Sequence, residues 1–197
     1  MKRIVNLNSG DSNSIDFKPV FLMLNDELSK IGESLELICA GGYVMQLYGF
    51  RGTADIDAFY QSSASIDRII QKVGDAFGIN RPDELWLNNS ISNMNPTPPS
   101  KYCNVVHQLS HLVVMGVDLI YLLGMKFASA RGQDMKDLVE IIKCNEELQP
   151  LTLMSKLGEM GFDIDISMLI DAFEGARGME WLDAFYKENE DEICKYY

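Results

Sequence analysis

Gly41-Gly42 is followed, thirteen residues after Gly42, by Asp55-Ile56-Asp57, and these residues have the types and spacing to do chemistry. In a strand, side chains two apart point to the same side, so both carboxylates would project from one face while Ile56 and Ala58 enter the other layer. Two carboxylates held side by side repel each other unless a cation stands between them. Their hard oxygens suit Mg²⁺, which also bridges to nucleotide phosphates. A glycine pair upstream leaves room for the chain to approach a ligand and lets backbone N–H groups converge on a phosphate at the start of the following helix. Together these parts make a site for moving a phosphoryl or nucleotidyl group. The alternative is that Asp55 and Asp57 are ordinary solvent-facing acids at a strand end.

The elements that must position them are legible as periodicities. Phe17, Val20, Phe21, Leu24, Leu28 and Ile31 recur at three and four residues, which predicts a helix stopped by Gly32. A short apolar strand over 35–40 ends at the glycine pair, and Tyr43, Val44, Leu47 and Tyr48 read as the helix after it. Acid and apolar residues alternate from Asp55 to Phe59, the mark of a strand with two different faces. Residues 65–77 form an amphipathic helix closed by Gly78, and a helical turn is expected around Asp83 to Leu87. The segment NNSISNMNPTPPS reads as a loop; 102–106 and 111–115 read as strands. From Asp118 onward the pattern is helical: 119–130, 134–145, 150–160, 167–176 and 179 to about 194. The first residues, MKRIVNLN, suggest a short strand or an arm before a polar turn at 9–14. The expected architecture is an α+β lobe over 1–117 with a mixed β-sheet flanked by helices, and a helical region over 118–197 packed on that lobe.

Gly41-Gly42-Tyr43-Val44-Met45 followed by Gly49-Phe50-Arg51-Gly52-Thr53-Ala54-Asp55-Ile56-Asp57 resembles the nucleotidyltransferase fold of the DNA polymerase beta superfamily, whose signature is two glycines opening a helix and Asp-x-Asp on the next strand. It looks most like the small prokaryotic nucleotidyltransferases that include the AbiEii-type toxins. Asp118-Leu119, then Lys126-Phe127-Ala128, then Arg131, Asp134 and Asp137-Leu138 resembles their second, helical signature, so the likeness spans roughly 35–145. By that resemblance Asp55 and Asp57 bind Mg²⁺ or Mn²⁺, and Gly41 and Gly42 face a nucleoside triphosphate. Arg51 and Thr53 shape the entry to the acidic strand, with Arg51 a phosphate contact. Lys126 neutralises the triphosphate or is a surface lysine. Arg131, Asp134 and Asp137 either tie helices together through ion pairs or border the site. The implied reaction is attack of an acceptor hydroxyl, on an RNA end, a protein or a small molecule, on the α phosphorus, with pyrophosphate leaving. The resemblance also implies a third carboxylate on a neighbouring strand, and 102–106 and 111–115 hold no Asp or Glu. The competing reading keeps the fold without the chemistry: a nucleotide-binding protein or a toxin–antitoxin partner, binding an antitoxin, with a degenerate site.

Composition narrows the partners. Of 197 residues 47% are apolar, ample for a core. Against 17 Lys and Arg stand 29 Asp and Glu, and the formal charge of −12 divides into −3 over residues 1–143 and −9 over 144–197. Phosphate backbones are held by clusters of Lys and Arg, so duplex DNA is not expected as a partner. A strip of Arg51, Arg81, Lys101 and Lys126 could take one strand end. Cys39, Cys103, Cys144 and Cys194 form no C-x-x-C pair, which suits a reducing cytosol and a cytoplasmic protein. The polar turn soon after the N-terminus argues against a signal peptide. Leu112 to Met125, 14 residues interrupted by Asp118, is too short to span a membrane. A second Asp-x-Asp at Asp163 and Asp165 lacks a glycine pair and reads as a helix cap, and His107 and His111 lack a metal-ligand frame.

Overall fold

The computed structural model describes residues 14–93 and 96–194; the strand or arm read at MKRIVNLN lies outside them. The chain divides into two compact units, with the boundary between Asp118 and Leu119. The first unit is α+β and the second all-helical.

In the first unit, α1 (Phe17–Ile31) begins where the Asp16 carboxylate accepts from the Lys18 N–H at 3.0 Å, and ends at Gly32, which is left-handed at φ 70°. It buries Phe17, Val20, Phe21, Leu24 and Leu28. Helix α2 (Gly41–Leu47) follows strand β1 (Leu35–Cys39), and α3 (Ala64–Phe77) follows β2 (Ile56–Phe59). Ser63 caps α3 and Gly78 closes it. Glu27 on α1 joins the two longer helices: its carboxylate lies 2.6 Å from the ammonium of Lys30 and 2.6 Å from that of Lys72 on α3. These bonds, Lys30 foremost, hold its pKa below the usual range.

The sheet is mixed and five-stranded, in the order β3-β2-β1-β5-β4, with β3 at Leu87–Asn88, β4 at Cys103–Gln108 and β5 at Leu112–Val117. Strand β1 runs antiparallel to β2, with Ile38 opposite Phe59, and parallel to β5, with Cys39 beside Gly116. Leu37, Cys39, Ile56, Ala58, Leu112 and Val114 are buried on one face, and pairing puts Glu36, Ile38, Asp57, Phe59, Val113 and Met115 on the other.

The helical turn expected at 83–87 does not form. Trp86 and Leu87 are both fully buried, Trp86 donating from Nε1 to the Ile70 carbonyl at 2.9 Å and stacking near Phe17. The Ile56 N–H takes the Trp86 carbonyl at 2.7 Å, so the backbone is drawn out into β3 beside β2. The loop that follows contains short 3-10 turns at Ser90–Asn93 and Ser100–Tyr102.

The second unit comprises α4 (Leu119–Ser129), α5 (Gly132–Lys143), α6 (Pro150–Glu159), α7 (Ile166–Arg177) and α8 (Met179–Ile193). Asp165 caps α7 by accepting from the Ser167 N–H at 2.8 Å, which is the role read for the second Asp-x-Asp. Ile170, Leu182, Phe185 and Ile193 share one core cluster. The apolar run 112–125 is split between β5 and α4. Among the described residues no helix is long and apolar enough to cross a membrane.

His107 is a packing residue. Its ring lies 5.5 Å from that of Phe21, after a bulge between Val105 and His107, and burial, followed by the charge of Lys18, lowers its pKa. The folded chain therefore takes up this proton less readily than the unfolded chain, and stability falls as pH drops through about 6.5 towards the lowered folded value. Denaturant titrations at pH 7 and pH 5 should show a smaller loss on acidification in His107→Gln than in the wild type. Equal losses would remove this role.

Candidate functional site

The glycine pair, Arg51, Thr53 and both acids are brought together at the start of α2. The Ala40 N–H donates to the Asp57 carbonyl at 2.9 Å, which fixes Asp57 beside the end of β1. Gly41 is left-handed, φ 56°, and a Cβ there would stand 2.9 Å from Asp57 Oδ2. At Gly42 a Cβ would stand 2.6 Å from Thr53 Oγ1 and 3.4 Å from an Arg51 guanidinium nitrogen. Thr53, itself buried, donates from Oγ1 to Asp55 Oδ1 at 2.9 Å. Each glycine thus makes room for one acid: Gly41 for Asp57 directly, and Gly42 for Asp55 through Thr53. Asp57 lies within β2, whereas Asp55 precedes it in a bend.

Gln46 on α2 holds this loop. Its Oε1 accepts from the Thr53 N–H at 2.9 Å and its Nε2 donates to the Ile15 carbonyl at 2.8 Å. Nothing in the sequence pattern singled it out, because a lone glutamine on a short helix looks like any other. Arg81 stands 3.6 Å from Asp55 Oδ2 and 3.2 Å from Glu84, a half-exposed cation beside the first acid.

Strand β3 flanks β2 on the side away from β1, and Asn88 is the residue in register with Asp57. Asn88 Oδ1 accepts from the Ser90 N–H at 3.2 Å and its Oγ at 2.6 Å, while Nδ2 is buried without a hydrogen-bond partner. A carboxamide therefore stands beside Asp57 on a neighbouring strand, at the start of the segment NNSISNMNPTPPS that the sequence pattern reads as a loop. Strands β4 and β5 hold no acid. Glu36 shares the Asp57 face, but Ala40 is the residue beside Asp57, so Glu36 lies about 13 Å along the strand, at about 3.3 Å per residue. Among the described residues no group of three or more His, Cys, Asp or Glu is placed to hold a metal ion. Two carboxylates nonetheless fit Mg²⁺, which is commonly held by one or two of them together with substrate phosphates. A cavity of about 760 Å³ lies beside the start of β1 and the end of β2, lined by Glu33, Glu36, Ile38, Phe59, Tyr60 and Ser92; Gly41, Gly42, Asp55 and Asp57 do not line it. Burial pushes the Tyr60 phenol up to about 12, so it stays protonated at neutral pH.

Lys126 belongs to the helical unit, where it is buried. Its ammonium lies 2.9 Å from Asp134 and 2.6 Å from Asp137, the latter pair only 5% and 3% exposed. Ser129 also bonds Asp134, and Gln133 donates to Asp137 at 3.0 Å. Asp134 and Asp137 therefore tie α4 to α5, and Lys126 is no part of a surface strip with Arg51, Arg81 and Lys101. Arg131 precedes α5, whose Met135 N–H bonds to its carbonyl.

No protein-family model matches the chain, and comparison with curated proteins and with solved structures finds no match.

Two substitutions read these contacts. Gly42→Ala must displace Thr53, and overpacking of this kind costs about 1–3 kcal/mol. Thermal melting should show that loss; a melt like wild type would mean that Thr53 yields freely. Lys126→Met takes the ammonium from the buried Asp137 and should cost about 3–5 kcal/mol, most of which returns in the double variant Lys126→Met, Asp137→Leu. Denaturant unfolding measures both, and additive losses in the double variant would deny the coupling.

Proposed function

We propose that the chain binds a nucleoside triphosphate with Mg²⁺ or Mn²⁺ at Gly41, Gly42, Asp55 and Asp57, and transfers the nucleoside monophosphate to a hydroxyl acceptor. The observation that carries this reading is the paired fit in which Asp57 and Thr53 occupy the space where side chains at 41 and 42 would stand. Glycine at both positions lets Asp57 and Thr53, and through Thr53 the carboxylate of Asp55, crowd against the start of α2, where the two carboxylates would give the cation that accompanies a phosphate chain its protein ligands. When bound, the metal would neutralise charge on the transferring phosphorus and its leaving group.

The rest falls to the protein's own groups. Thr53 orients Asp55 through its hydroxyl, and Gln46 holds Thr53 by its backbone. Arg51, at the edge of Gly42, supplies a guanidinium for a phosphate oxygen. In the transfer, the acceptor oxygen bonds to the α phosphorus and the bond from that phosphorus to its bridging oxygen breaks. The hydroxyl proton goes to water, and pyrophosphate leaves. The acceptor is an RNA end, a protein hydroxyl or a small alcohol.

A second reading, binding without transfer in a nucleotide-binding or antitoxin-partnered protein, is favoured by Asn88, whose amide cannot act as a base. Incubation with each of four α-labelled nucleoside triphosphates, Mg²⁺ or Mn²⁺, and total RNA or protein separates the two. Transfer of label supports the first; calorimetric binding with no labelled acceptor supports the second. The isosteric double variant Asp55→Asn, Asp57→Asn should weaken binding roughly 10- to 100-fold, the worth of one charge-assisted contact, without lowering the melting temperature. Unchanged affinity would remove both readings.

A further inference from the structure

We propose that Asn88 is a ligand-contacting residue whose Nδ2 donates a hydrogen bond to a phosphate oxygen of the triphosphate held at Asp55 and Asp57; the inference rests on the nucleotide-binding reading above. Its first support is the orientation of the amide. Asn88 Oδ1 accepts from the Ser90 backbone N–H at 3.2 Å, and a backbone N–H can only donate, so the atom facing it is the oxygen. The Ser90 hydroxyl at 2.6 Å holds the same end. The two-fold ambiguity of a carboxamide is therefore resolved by its neighbours.

The second support is the cost of the other end. Nδ2 is buried and has no hydrogen-bond partner. Native proteins leave few buried donors unmade, because the group has lost water and gained nothing in return. A donor kept at that cost beside a candidate phosphate site has a partner of the right chemistry in an anionic oxygen.

Position is the third. Asn88 pairs with Asp57 in parallel register, so the two residues are lateral neighbours on one sheet face, in strands about 4.8 Å apart. One offers a carboxylate to the cation and the other a donor to the anion, which are complementary needs of a metal–triphosphate pair. An aspartate at 88 would add a third negative charge facing the phosphates, whereas the amide adds none. The 3-10 turn Ser90–Asn93 packs on β2 and carries the group that holds Oδ1, so a ligand oxygen at Nδ2 requires this turn to shift, which hydrogen exchange over the turn reads.

The test uses the full chain with inorganic tripolyphosphate and Mn²⁺, and with Mn²⁺ alone followed by electron paramagnetic resonance. Asn88→Ala should weaken tripolyphosphate roughly tenfold or more while leaving the affinity for Mn²⁺ alone unchanged. Asn88→Asp keeps the oxygen that Ser90 holds and guards against a folding defect in the alanine variant. It should bind Mn²⁺ at least as tightly as wild type yet bind tripolyphosphate more weakly. Amide hydrogen exchange over 88–93 should slow when tripolyphosphate binds the wild type. Unchanged tripolyphosphate affinity in Asn88→Ala, or tighter binding in Asn88→Asp, would overturn the proposal, the latter by showing that position 88 serves as a metal-ligand position. A wild type that binds no tripolyphosphate, or whose binding survives Asp55→Asn, Asp57→Asn, overturns the nucleotide reading and this inference with it. Loss on changing the two acids without loss at residue 88 overturns the role of Asn88 alone.

Discussion

The carboxylate of Asp57 stands where a side chain at residue 41 would have to be, and the geometry of the candidate site depends on that exclusion. It holds only while β1 and β2 keep their antiparallel register, since the Ala40 N–H to Asp57 carbonyl bond sets which residue of β2 meets the glycine. A slip of one residue would turn Asp57 into the buried layer and bring Ile56 or Ala58 out of it to the glycine. The loop between α2 and β2 is fixed to the same point from its other end. Gln46 takes the Thr53 N–H, and the Ile15 N–H takes the Thr53 carbonyl at 3.3 Å, so both the helix and the segment before α1 hold the residue that orients Asp55.

Much of the fold is legible because its signals are local. Asp16, Ser63 and Asp165 are short side chains that accept from N–H groups two or three residues on, and Gly32 and Gly78 take the left-handed conformation that closes a helix. Such signals need no knowledge of what the helix packs against. Strand order is another matter: β5 pairs not only with β4, its neighbour in the chain, but also with the distant β1, and period-two alternation carries no record of which neighbour a strand will find. β3 was hidden for a related reason. Two residues cannot display a period, and the helix-like content of 83–87 is overruled by the burial of Trp86 and Leu87 against α1 and β2.

The site divides along the same line. Gly41, Gly42, Thr53, Asp55 and Asp57 lie within seventeen residues of one another, so one turn and one strand suffice to assemble them, and strand parity already places the acids. Asn88 joins them only through β3. Gln46 and Arg81 join through side-chain bonds to Thr53 and Asp55 that no spacing rule anticipates. For Lys126, Asp134 and Asp137 the sequence left two accounts open, because a lysine on an apolar helix can send its ammonium either outward along its stem or to acids on the next helix.

The two sets of ion pairs differ in how far water reaches them. Lys126 and Asp137 are both sealed from water and each has further hydrogen bonds, so neither charge can exchange its partner without leaving the other bare in a poorly polarisable interior. Arg81 and Asp55 are 54% and 30% exposed and 3.6 Å apart, a contact of the kind worth about 0–1 kcal/mol. Water can replace Arg81 at almost no cost. Asp55 is thus oriented by Thr53 but only loosely neutralised by Arg81, whereas Asp137 is held by buried partners, and that difference in solvent access separates the two carboxylates.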